Sequence, residues 1–68
     1  MDWNAVVGRN VRRRRQELGL SQEQVAHDAG ITLRYMGMVE RGQQNPSLDV
    51  MVRIAAALSM KPADLLAD

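Results

Sequence analysis

Apolar residues recur along the chain at three- and four-residue intervals, and glycine or proline interrupts that recurrence at short, regular spacings. Trp3, Val7, Val11 and Leu18 share one face at the helical period, which predicts a first helix from about Trp3 to Leu18, capped by Asp2 or Asn4. Gly19 tolerates positive φ and ends it. Ser21 to Gln24 fits a capping box, with a serine hydroxyl for the third amide and a glutamine reaching back, at the head of a two-turn helix. That helix turns Val25, Ala26 and Ala29 inward and stops at Gly30. Thr32 caps a third helix, about Leu33 to Arg41, which Gly42 stops; Gln43, Gln44, Asn45 and Pro46 read as an exposed loop. Ser47 caps a fourth helix, where Leu48, Met51, Val52, Ala55 and Leu58 keep the i, i+3, i+4, i+7 spacing. Pro62 suits the first turn of a short fifth helix whose Leu65 and Leu66 close the core. The expectation is an all-α, compact five-helix bundle, residues 1–68 as one domain, with no repeat, linker or low-complexity stretch.

Composition narrows the chemistry. A chain of 68 residues buries only about 60% of the surface it exposes when unfolded, which leaves no room for a deep walled cleft. There is no cysteine, so disulfides, thiolate zinc sites and thiol nucleophiles are excluded, and His27 alone makes no histidine metal site. With no paired carboxylates at a plausible spacing either, enzymatic chemistry is rejected, and neither a cofactor nor a small-molecule ligand is evident. Ala, Val, Ile, Leu and Met supply nearly all the apolar content and Phe is absent, which favours helices over sheet. No apolar run reaches the roughly 18 residues of a membrane span, and the head of the chain is too short and polar for a signal peptide. The chain reads as soluble and cytoplasmic. Nine basic against eight acidic side chains leave a formal charge of +1, but five arginines (Arg9, Arg12, Arg13, Arg14 and Arg15) crowd into seven residues.

The informative stretch is Gln22 to Val39. Two short helices meet at a tight turn on Gly30, Ala26 is small where they cross, and Val25, Ala29, Ile31, Met36 and Val39 are apolar where such a pair must bury. A helix-turn-helix, here about residues 21–41, needs this arrangement: one helix braces and the second is offered outward. At about 100° per residue, Thr32, Met36, Val39 and Glu40 point inward, while Arg34, Met38 and Arg41 point outward, flanked by Leu33 and Gly37. An outward face neither apolar nor evenly charged suits a DNA groove.

The ordered blocks Val11-Arg12 with Arg15, Gly19-Leu20-Ser21-Gln22, Val25-Ala26, Ala29-Gly30-Ile31, Val39-Glu40-Arg41-Gly42, Asn45-Pro46-Ser47-Leu48, Ile54-Ala55 with Leu58, and Pro62 to Leu66 cover nearly the whole chain. In them the chain resembles the Cro-like, xenobiotic-response-element family of phage-repressor-type DNA-binding domains. That resemblance implies a sequence-specific regulator of bacterial or phage type, a repressor in the first instance, with its third helix in the major groove. It further implies a homodimer, at least on DNA, on a palindromic operator. Leu33, Arg34 and Met38 match the positions that read base edges. Gln22 matches a phosphate contact that also braces the recognition helix, and Arg41, Gln43, Gln44 and Asn45 match the region that grips the backbone. Arg15 and Glu40 match a largely buried ion pair. The chemistry of Arg34 agrees, since its planar fork fits guanine O6 and N7, and Leu33 suits a thymine methyl.

Several positions carry two readings. Gly37 inside the third helix either allows close approach to the DNA backbone or is merely tolerated. Arg14, in the apolar stripe of the first helix, snorkels over the core edge or leans to a phosphate. Arg13 or Arg14 joins the electrostatic footprint, while others of the run are simply solvated. His27 reads as exposed surface, Tyr35 as packing on the loop, Met36, Met51 and Met60 as core fillers, and Trp3 as a cover for one end of the bundle. Any dimer is expected to use the bundle's own surface, around the fourth and fifth helices. The rival function is a protein-interaction or antitoxin-type module that captures a partner protein.

Overall fold

The computed structural model describes residues 1–68. Four α-helices form, α1 (Trp3–Glu17), α2 (Gln22–Ala29), α3 (Leu33–Glu40) and α4 (Leu48–Ala57), followed by a single 3-10 turn over Pro62–Leu66. The expected fifth α-helix is therefore a correction: there are four helices and no strand. Five residues led by a proline without an N–H close only short-range bonds, as 3-10 pieces do.

Local signals placed the helix ends. Asp2, not Asn4, caps α1, accepting from the amides of Asn4 and Ala5 at 3.1 and 3.2 Å. The Ser21 hydroxyl accepts from the Gln24 amide at 3.0 Å while the Gln24 side chain accepts from the Ser21 amide at 2.8 Å. The Thr32 and Ser47 hydroxyls likewise accept from the amides of Tyr35 and Val50 at the heads of α3 and α4, each as a single bond. Gly30 turns the chain between α2 and α3 at φ 70°, where a Cβ would be strained.

The core gathers Val7 and Val11 from α1, Val25, Ala26 and Ala29 from α2, Met36 and Val39 from α3, Ile54, Ala55 and Leu58 from α4, and Leu65. The buried face of α1 is broader than its stripe suggested, and Val6, Gly8 and Asn10 are buried too. Trp3 and Leu18, at the helix's two ends, are instead 52% and 39% exposed, so Trp3 is no full cover. Thr32 is exposed, its hydroxyl used as a cap rather than turned inward. Pro46 is buried although its loop is otherwise open. In α4 the inward set is rotated: Leu48 and Val52 are 72% and 44% exposed, and Ile54 takes the core place.

Polar side chains strap these elements together. Asn10 is fully buried and its amide donates to the carbonyls of Leu65 and Ala67 at 2.9 and 2.8 Å, pinning the end of the chain to α1. Its Oδ1 has no partner. Arg53 donates to the carbonyl of Ala29 at 2.9 Å, where the C-terminus of α2 offers unpaired acceptors.

Where α1 crosses α3, Gly8 leaves no room for a side chain. A Cβ there would stand 2.5 Å from the Val39 carbonyl oxygen and 2.7 Å from that of Glu40. Gly8→Ala must push the helices apart, at a cost of about 1–3 kcal/mol. Thermal melts should show the midpoint falling by several degrees; a midpoint at or above wild type would contradict this close crossing.

Candidate nucleic-acid interface

A helix of eight residues is marginal on its own in water, so α3 must be held by its neighbours. Met36 and Val39 anchor its inner face in the core. Its C-terminal end is fixed by charge. The Glu40 side chain is only 4% exposed; Arg15 grips it bidentately, Nε to Oε2 at 2.6 Å and Nη2 to Oε1 at 3.1 Å. Gln22 Nε2 donates to the same Oε1 at 3.1 Å, and the remaining Arg15 nitrogen, Nη1, donates to the Leu20 carbonyl at 3.0 Å. Three helices thus meet on one carboxylate whose charge is neutralised and whose oxygens are both bonded.

The hydrogen bond to Glu40 raises the Arg15 pKa further above its ordinary value, against the opposing pull of burial and with the Glu40 charge adding to the rise. A raised folded value means that the stabilisation is complete below the ordinary arginine range. It is lost only as pH climbs through the still higher folded value.

The outer face of α3 is open at its N-terminal half. Leu33 is 46% exposed and Arg34 beside it is exposed. Met38, predicted to point outward, is half-buried, with its sulfur 3.9 Å from Gln44 Nε2. Gly37 is buried, while Arg41 is exposed and its Nε donates to Gln43 Oε1 at 2.9 Å. Gln43 and Asn45 are exposed in the following loop and Gln44 is half-buried. Leu33, Arg34, Arg41, Gln43 and Asn45 are thus open along α3 and the loop that follows it. Gln22 braces α3 through Glu40, as the resemblance implied.

The arginines divide by partner. Arg14 donates from Nε to the Leu58 carbonyl at 3.0 Å and lies 3.8 Å from Glu17, so it straps α1 to the end of α4 along the core edge. Arg9 pairs with Asp68 and Arg53 with Asp49. Arg12, Arg13, Arg34 and Arg41 form no ion pair. Arg12 and Arg13 line a shallow depression on α1, with Arg9 and Gln16, that runs up to Glu40. Arg12 was not singled out from the sequence. Its position within an unbroken arginine run gave no sign of which members would find acids.

The family model for helix-turn-helix proteins matches residues 11–65, and the chain belongs to that family. It is 36% identical over 66 residues to an HTH-type transcriptional regulator, y4dJ, of Sinorhizobium fredii, covering 97% of this chain and 86% of that one. It is 38% identical over 66 residues to the control protein C.SmaI of Serratia marcescens, covering 97% and 79%. Among solved structures, the restriction-modification controller protein C.AhdI of Aeromonas hydrophila superposes with a TM-score of 0.88 at 40% identity, over 91% of this chain and 94% of that one. No helix is long and apolar enough to cross a membrane.

Truncating Glu40 strands the Arg15 guanidinium and frees Gln22. Glu40→Ala should cost about 3–5 kcal/mol and act on stability before base preference. A melt within a degree or two of wild type would overturn the hub.

Proposed function

We propose that the protein is a sequence-specific double-stranded DNA-binding transcriptional regulator that lays α3 in the major groove. The observation that carries this is the pairing of a rigidly pinned α3 with an outer face bearing Leu33 and the unpaired fork of Arg34. Arg34 reads a guanine edge, a contact worth about 1–3 kcal/mol of discrimination, and Leu33 packs on a thymine methyl. Met38, half-buried, contributes apolar contact at its exposed edge. Phosphate contacts come from Arg41, Gln43, Gln44 and Asn45, from the amides at the head of α2 beside Gln22, and from Arg13 with its neighbour Arg12. Arg14 serves chiefly as a strap. Repression follows if the occupied site overlaps a promoter. Capture of a partner protein as the main role is disfavoured by four guanidiniums left without acids.

Two copies bind a palindromic operator with half-sites about one helical turn apart. Leu48, Val52 and Ala56 form an exposed apolar row on the outer face of α4, at i, i+4 and i+8, and this row is the surface through which the copies pair.

Selection from random duplexes near physiological salt should enrich a palindrome with wild type, and Arg34→Ala should relax one position in each half-site. No enrichment, with binding that vanishes as salt rises, would reduce the function to non-specific binding. In sedimentation, Val52→Asp should yield monomers where wild type dimerises on its operator. Monomers from wild type both free and on DNA would overturn the paired arrangement.

A further inference from the structure

Gly37 lies on the middle turn of α3, one turn from Leu33 and one from Arg41. Its backbone is not in the positive-φ region, so the fold does not require glycine there. Crowding by another helix does not explain it either. Beyond its chain neighbours and the helix's own backbone, the three atoms nearest to where a Cβ would stand are Nη1, Cζ and Nη2 of Arg41, at 3.1, 3.8 and 3.8 Å. The contrast with Gly8 is sharp, since there a Cβ would strike the backbone of α3. Gly37 is nevertheless buried. What lies over it is the guanidinium of Arg41, folded back one turn along the helix, while Arg41 Nε is held by Gln43 Oε1 at 2.9 Å. No carboxylate pairs with this guanidinium.

We propose that Gly37 is a positioning residue for Arg41. The missing side chain opens a seat on the outer face of α3, the guanidinium occupies it, and Gln43 holds the fork, so that its free N–H groups are presented to a DNA phosphate at the middle of the recognition helix. The inference rests on the DNA-binding reading above. An arginine is long and loses much rotamer freedom when it binds; a preformed seat removes that cost before the DNA arrives. Gly37 then acts through Arg41, not through its own backbone against the phosphate.

The test is a double-mutant cycle on the duplex recovered by selection, with affinity measured at several salt concentrations and a melt for every variant. Gly37→Ala should melt at or above wild type, because alanine favours a helix interior, and yet bind about tenfold more weakly, the scale of one lost charge-assisted contact. Arg41→Ala should weaken binding comparably and lower the salt slope by about one. In that background, adding Gly37→Ala should change nothing, and Gln43→Ala should weaken wild type in the same direction. The inference is overturned if Gly37→Ala binds like wild type, if it weakens binding equally with and without Arg41, or if it melts well below wild type. A wild type that still prefers its operator under any of those results leaves the DNA-binding reading standing, whereas a wild type that binds no duplex removes both.

Discussion

The structure depends on one buried carboxylate. Glu40 collects the guanidinium of Arg15 from α1 and the amide of Gln22 from the head of α2, so a single side chain fixes where α3 ends relative to the two helices around it. A buried ion pair roughly breaks even against an apolar replacement of the same shape, and its contribution here is geometry. An apolar contact would let α3 slide or roll, whereas a bidentate fork with a third donor permits one arrangement. The outer face of α3 keeps a fixed place on the bundle only because its inner end is held in this way.

Charge elsewhere in the chain is sorted along the same line. The formal balance is almost even, yet Arg14, Arg15 and Arg53 bond to carbonyls or carboxylates that tie helices together, while Arg12, Arg13, Arg34 and Arg41 carry no ion pair. Of the four acids without an ion pair, Asp2 and Asp64 accept from backbone amides at helix starts, and Glu23 and Asp28 stand on the exposed side of α2. Net charge therefore understates the positive field on α1 and α3, and a phosphate backbone responds to local field rather than to the sum.

Much of this was legible in the sequence where the determinant is local. Ser21, Thr32 and Ser47 announce helix starts because a short hydroxyl satisfies an amide three residues on, and Gly30 announces the turn because its backbone demands positive φ. Arg15 and Glu40 followed from the resemblance and stand where it placed them. What escaped depends on partners distant in the chain. Asn10 looks like a surface residue until the carbonyls of Leu65 and Ala67 are beside it, and Gly8 looks like a weak helix residue until α3 crosses it. The apolar positions of α4 suit two faces, so periodicity alone chose Leu48 and Val52 where packing chose Ile54. The last helix shrank to a 3-10 turn because a five-residue segment is too short to declare its own period. Among the candidate site residues, Arg34, Met38 and Arg41, flanked by Leu33 and Gly37, stand out in the sequence as an outward face, of which the structure half-buries Met38; the seat between Gly37 and Arg41 depends on a side-chain path that no spacing rule encodes.

The most direct measurement is a map of backbone amide shifts by NMR as the selected duplex is titrated into the labelled protein. The expected result is a footprint on the head of α2 at Gln22, along Leu33 to Arg41 and through Gln43 to Asn45, with Arg15, the α1 partner of Glu40, unmoved. Shifts gathered on the acidic side of α2, with Leu33 and Arg34 silent, would contradict the account of α3 as the reading helix.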